Sequence, residues 1–132
     1  MYCYNRIIST VKTCFPEIES NKVVFEPEFF KYCFYDDLPY VFFPVFWKLL
    51  ELALTGKVKN NGLTDRIFEF MENMAKSDEA VRNLMAVEML EPLFSLDGDV
   101  YMKVVTHYLK PETLNIHKKQ QPYFLSPCEE SW

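Results

Sequence analysis

The stretch that most constrains this chain is Ser77–Phe94, SDEAVRNLMAVEMLEPLF, which predicts a helix with apolar residues on nearly every side. At about 100° per residue, Ala80, Val81, Leu84, Met85 and Val87 fall on one flank and Ala86, Met89, Leu90 and Leu93 on the other. Such a helix needs neighbours on both flanks, and it falls short of the roughly 20 apolar residues that span a bilayer. It therefore reads as the spine of a helical domain, capped by Ser77, with Glu88 projecting into the Val81, Leu84 and Met85 side.

The 132 residues fit one domain, and 49% apolar content is ample for a core. Aromatics reach 17% while only three glycines punctuate the chain, a balance that favours bulky helical packing over hairpins. Upstream of the spine, Ile7, Ile8, Val11, Cys14 and Phe15 recur at helical intervals until Pro16 stops them. Pro27 is expected to open a short helix carrying Phe29, Phe30, Cys33 and Phe34. In LPYVFFPVFWKLLELAL two prolines five residues apart predict a helical turn capped by Asp37, a kink, and then a helix from Pro44 to about Leu54. A strand over YVFF is the alternative, although prolines flank it and nothing obvious pairs with it.

TGKVKNNG reads as a loop, followed by a helix from Leu63 to Lys76. There Ile67, Phe68, Phe70, Met71, Met74 and Ala75 share one arc, and Asp65, Glu69, Glu72 and Lys76 form an acidic ridge opposite, with Glu72 and Lys76 paired at i, i+4. After the LDGDVY turn, a helix over Val100–Leu109 points Val104, Val105 and Tyr108 inward, and Pro111 opens a short one to about Lys119. The predicted fold is all-α: a single-domain bundle of six or seven short helices in stacked antiparallel pairs, with residues 1–119 as the domain and 120–132 as an extended C-terminal tail.

The net charge of −5 is unevenly spread. From Asp65 to Asp99 nine acids (Asp65, Glu69, Glu72, Asp78, Glu79, Glu88, Glu91, Asp97, Asp99) face three bases (Arg66, Lys76, Arg82), a local balance of −6. Such a face repels phosphates, so nucleic acid is not the expected partner, whereas a basic protein is. The plainer reading makes these acids a solvated face that confers solubility. Four cysteines, Cys3, Cys14, Cys33 and Cys128, form no CxxC pair, and MYCYNRIIST has no apolar run of a leader, so a reducing cytoplasmic setting with buried thiols is expected.

No glycine-rich phosphate loop occurs, and His107 and His117 lack metal-ligand spacing, so neither a metal nor a cofactor is expected. Glu88 and Glu91 lie about 60° apart on the spine, a spacing that would serve acid and base roles if the pair opened onto a cleft. A carboxylate in an apolar layer more commonly accepts helix-start amides or pairs with an arginine such as Arg6, Arg66 or Arg82.

Phe15-Pro16, Leu38-Pro39-Tyr40-Val41-Phe42-Phe43, Arg66-Ile67-Phe68-Glu69-Phe70-Met71-Glu72 and Asn83-Leu84 through Val87 to Leu90-Glu91 resemble an uncharacterised family of small bacterial helical proteins, over roughly residues 1–115. That family looks like immunity proteins of contact-dependent or polymorphic toxin systems; where it implies histidine after Leu38-Pro39, this chain has Tyr40. The resemblance implies a non-enzymatic protein that neutralises a basic toxin domain, a nuclease being the expected class. On the charge pattern, the expected partner-binding residues are Asp36, Asp37, Asp65, Glu69, Glu72, Asp97 and Asp99. Two other readings stay open: a small enzyme or ligand sensor built on Glu88 and Glu91, and a homodimeric adaptor.

Overall fold

The computed structural model describes residues 2–20 and 38–124. The short helix expected at Pro27–Phe34 lies outside the described residues, as do Cys33, Cys128, Asp36 and Asp37. Seven α-helices and no strand occur among the described residues, in keeping with the all-α single-domain bundle. They are α1 (Ile7–Cys14), preceded by a 3-10 turn at Tyr4–Arg6, then α2 (Glu17–Ser20), α3 (Pro39–Leu54), α4 (Leu63–Ala75), α5 (Glu79–Met85), α6 (Gly98–Lys103) and α7 (Pro111–Phe124).

The spine is one continuous run that changes step twice. α5 passes into a π turn at Ala86–Leu90 and then a 3-10 turn at Glu91–Ser95. Pro92 stands at the second change of step and has no N–H to donate to the Glu88 carbonyl. The central placement holds, because α4 packs on α5 while α3 and α7 pack on the π turn. Val81, Leu84, Met85, Met89, Leu90 and Leu93 are fully buried, whereas Ala80 and Val87 face solvent, so the apolar girdle is not closed. The cap is Asp78, whose carboxylate accepts the Val81 amide at 3.1 Å. Ser77, the expected cap, instead donates to the Asn73 carbonyl and accepts the Tyr2 amide, tying the N-terminal turn to the end of α4.

α3 runs unbroken through Pro44 rather than kinking into two pieces, with Leu38 at its N-cap; the expected cap, Asp37, lies outside the described residues. Pro39 sits at its first turn, where a missing N–H costs nothing. The interior Pro44 is offset by burial, since Phe42, Phe43, Val45, Phe46, Leu49 and Leu50 are all fully buried. Phe46 stands at the centre of a ring cluster, 4.9 Å from Phe15, 5.6 Å from Phe43 and 5.7 Å from Phe70, with Phe15 and Phe70 also 5.3 Å apart. This cluster joins the end of α1 to α3 and α4. Arg66 lies over Phe15 and donates to the Cys14 carbonyl and the Glu17 carboxylate, holding the turn at Phe15-Pro16.

Between α3 and α4, Asn61 and Gly62 both adopt positive φ, and the Asn60 side chain accepts the Thr64 amide at 3.1 Å, which starts α4. α7 extends to Phe124 through Pro122, so residues 120–124 are helical and not an extended tail. Cys3 and Cys14 are exposed, contrary to the buried role expected of them. Among the described residues no helix is long and apolar enough to cross a membrane.

Candidate partner-binding surface

The expected acidic ridge on α4 divides into three different environments. Glu72 is 3% exposed and does not belong to it. Its two carboxylate oxygens accept the backbone amides of Glu112 (3.0 Å) and Thr113 (2.9 Å), at the start of α7. Two oxygens that both accept N–H mark an acceptor-only carboxylate, placed where the positive end of a helix favours it. Helical spacing alone set Glu72 beside Glu69 and Lys76; the arrival of α7 on that side of α4 is a tertiary event that the spacing does not encode. The buried carboxylate accepting helix-start amides was anticipated for Glu88, yet it occurs sixteen residues earlier in the chain.

Glu69 stays exposed and meets Lys110 at 3.4 Å, a surface pair of little energetic weight. Asp65 in the first turn of α4, Asp97 at the N-cap of α6 and Asp99 in the first turn of α6 are exposed and form no ion pair with a described residue. Asp97 makes no side-chain cap bond either. The two helix starts converge: a cleft of about 310 Å³ is lined by Thr64 from α4, Asp99, Val100 and Lys103 from α6, Asn60 from the loop, and Tyr108. Leu54 and Ala53 form its apolar wall. The structure thus brings Asp99 beside the first turn that carries Asp65, a juxtaposition that sequence order hides.

Glu88 and Glu91 stand apart from this cleft. Burial pushes the Glu88 carboxyl above the usual carboxylate range, and neighbouring Glu91 pushes it further; burial alone raises Glu91. Tyr40 is raised by burial first, then by Tyr4 and Glu88, which places that phenol in the electrostatic reach of Glu88. Neither Glu88 nor Glu91 pairs with Arg6, Arg66 or Arg82, and neither lines the cleft. Among the described residues no group of three His, Cys, Asp or Glu could hold a metal ion.

The polar centre that the sequence reading missed is His117. It is fully buried on α7, stacked on Phe94 at 4.4 Å, with Nε2 2.9 Å from the Tyr101 hydroxyl and Nδ1 3.2 Å from Gln120 Oε1. Gln120 Nε2 in turn donates to the Ala86 carbonyl, which also accepts the Glu91 amide as the hydrogen bond of the π turn. Burial lowers the His117 pKa below the ordinary histidine value, against a smaller opposing effect of the Gln120 bond. The signal was present as Thr113, His117, Gln120 and Phe124, one stripe of a helix once α7 is allowed to run past Lys119.

No curated protein and no solved structure matches the chain. The profile of a family described as a domain of unknown function, DUF7674, matches residues 8–123, and the chain belongs to that family.

Proposed function

We propose that this protein is a non-enzymatic binding module that neutralises a basic toxin domain, a nuclease being the favoured class, through the acidic helix starts of α4 and α6. The observation that carries the reading is the trio Asp65, Asp97 and Asp99, which are exposed, free of ion pairs with described residues and set at the starts of α4 and α6, with Asp99 lining a cleft that Thr64 of α4 also lines. Glu72 leaves the proposed surface because its carboxylate is spent inside the fold, and Glu69 contributes at its edge through a pair that water readily opens. Carboxylates on helix ends are held by packed backbone, so little ordering is needed on binding, and their charge speeds encounter with a cationic groove. Toxin neutralisation itself comes from the resemblance in the sequence.

The test is titration calorimetry with purified basic nuclease toxin domains, candidates from neighbouring genes first, at low and high salt. Binding that weakens with salt, and that falls about tenfold or more in the Asp65→Asn, Asp97→Asn, Asp99→Asn triple variant, supports the reading. No complex at low salt, or undiminished affinity in the triple variant, refutes it. The raised carboxyls of Glu88 and Glu91 favour a second reading, a proton-handling or ligand site beside Tyr40. A small-molecule screen in which Glu88→Gln abolishes a thermal shift would support it.

A further inference from the structure

α7 is fastened to the bundle at two places by different chemistry. Its first turn rests on Glu72, and the Thr113 hydroxyl also accepts the Lys110 amide. Its later turns rest on His117 and Gln120, against the π and 3-10 turns of the spine. There the helix is weak by itself, because Pro122 has no N–H for the Lys118 carbonyl.

The side-chain network assigns the protons. Gln120 donates through Nε2 to the Ala86 carbonyl at 2.9 Å, so its Oε1 is the atom facing His117 and must accept. Nδ1 of His117 therefore carries the hydrogen. Nε2 is bare and accepts from the Tyr101 hydroxyl, whose oxygen accepts in turn from Gln121 Nε2 at 3.4 Å. All these groups are satisfied with a neutral ring. A proton on Nε2 turns that atom into a donor facing a hydroxyl that was donating to it, and places a positive charge among Phe94, Tyr101 and the α7 backbone.

Titratable and charged groups on the surrounding elements are Asp65, Arg66, Glu69 and Glu72 on α4, Glu88 on the π turn, Glu91 on the 3-10 turn, Asp99, Tyr101 and Lys103 on α6, and Glu112, Lys118, Lys119 and Tyr123 on α7 itself. Among these only Tyr101 bonds the ring, and none forms an ion pair with it. Among the described residues, no carboxylate pairs with the ring to hold it in place once charged.

We propose that His117 is an acid-sensitive latch: when its ring takes up a proton, the C-terminal turns of α7 leave the spine while the first turn stays on Glu72, uncovering Phe94 and the Ala86 carbonyl. Burial opposes charging of the ring, so the latch stays closed at neutral pH and opens below the ordinary histidine value of 6.5.

Amide hydrogen exchange of the full chain, corrected for the intrinsic effect of pH, tests this from neutral pH downward. Protection from His117 to Phe124 falls about tenfold or more relative to the α4 amides, while Thr113 keeps its protection. In His117→Gln, which cannot charge, the fall is absent. A flat response in the native chain, or the same fall in His117→Gln, overturns the latch. Should His117→Gln fail to fold, the His117 ring signal in the native chain decides: its titration midpoint coincides with the loss of α7 protection, and a mismatch between the two overturns the proposal.

Discussion

Replacing Glu72 tests the internal architecture most sharply, because its carboxylate stands on α4 and acts on α7. In Glu72→Ala the Glu112 and Thr113 amides lose their acceptors, and Thr113 is fully buried, so water cannot substitute there. Each bond to a charged group is worth about 1.5–3 kcal/mol, but one carboxylate serves both, so the two do not simply add. Removing one partner of a buried charged arrangement typically costs about 3–5 kcal/mol, and that is the expected loss. Glu72→Gln preserves shape and one acceptor while setting an NH₂ against a backbone N–H; it is expected to lose about 1.5–3 kcal/mol. For a domain of this size these losses lower Tm by roughly 3–5 °C per kcal/mol. Urea unfolding of the native chain, both variants and Glu69→Ala provides the measurement. Glu69, whose pair with Lys110 is exposed, sets the reference at no more than about 0.5 kcal/mol. If Glu72→Ala proves as mild as Glu69→Ala, the carboxylate does not anchor α7 and the account of that helix fails.

Three further outcomes follow from the same packing. Asp78→Ala removes the side chain that caps α5 and is expected to cost about 1 kcal/mol in chemical denaturation, whereas Ser77→Ala leaves the α5 start intact and loosens the Tyr2 amide instead. Phe46→Ala empties the centre of the ring cluster and is expected to cost about 3–5 kcal/mol, read from the same unfolding curves. The pH dependence has a definite sign. His117 is lowered in the folded state, so below 6.5 the unfolded chain binds the extra proton and stability falls as pH drops towards the folded value, by at most about 1.4 kcal/mol per pH unit. Glu88 and Glu91 are raised and contribute in the opposite sense, so the difference between the native chain and His117→Gln isolates the histidine. A difference curve that is level across that window would remove the buried neutral ring from the account.

What the sequence disclosed was governed by range. Local periodicity and proline were enough to find α1, α4 and the spine, and to stop α1 at Phe15-Pro16, because each depends on residues within a turn or two. The kink expected at Pro44 does not occur: α3 continues through it with Phe43 and Val45 fully buried and Phe46 packed on the Phe15 and Phe70 rings from α1 and α4, contacts that local sequence does not encode. The step into the π turn was not legible either, since its Ala86 carbonyl is shared with Gln120 from α7. The site divided in the same way. Exposure of Asp65, Asp97 and Asp99 could be read from their place at helix starts, whereas the fate of Glu72 depended on a helix that arrives forty residues later.

That separation bears on how the protein is made. A chain leaving the ribosome completes α4, the spine and α6 before Thr113 exists, so for that interval a carboxylate destined for the interior has no amides to receive it. Burying that carboxylate without its amides would carry a desolvation penalty, so closing this side of α4 is unfavourable before α7 docks. The dependence is mutual, because the first turn of α7 is itself short of acceptors until it meets α4.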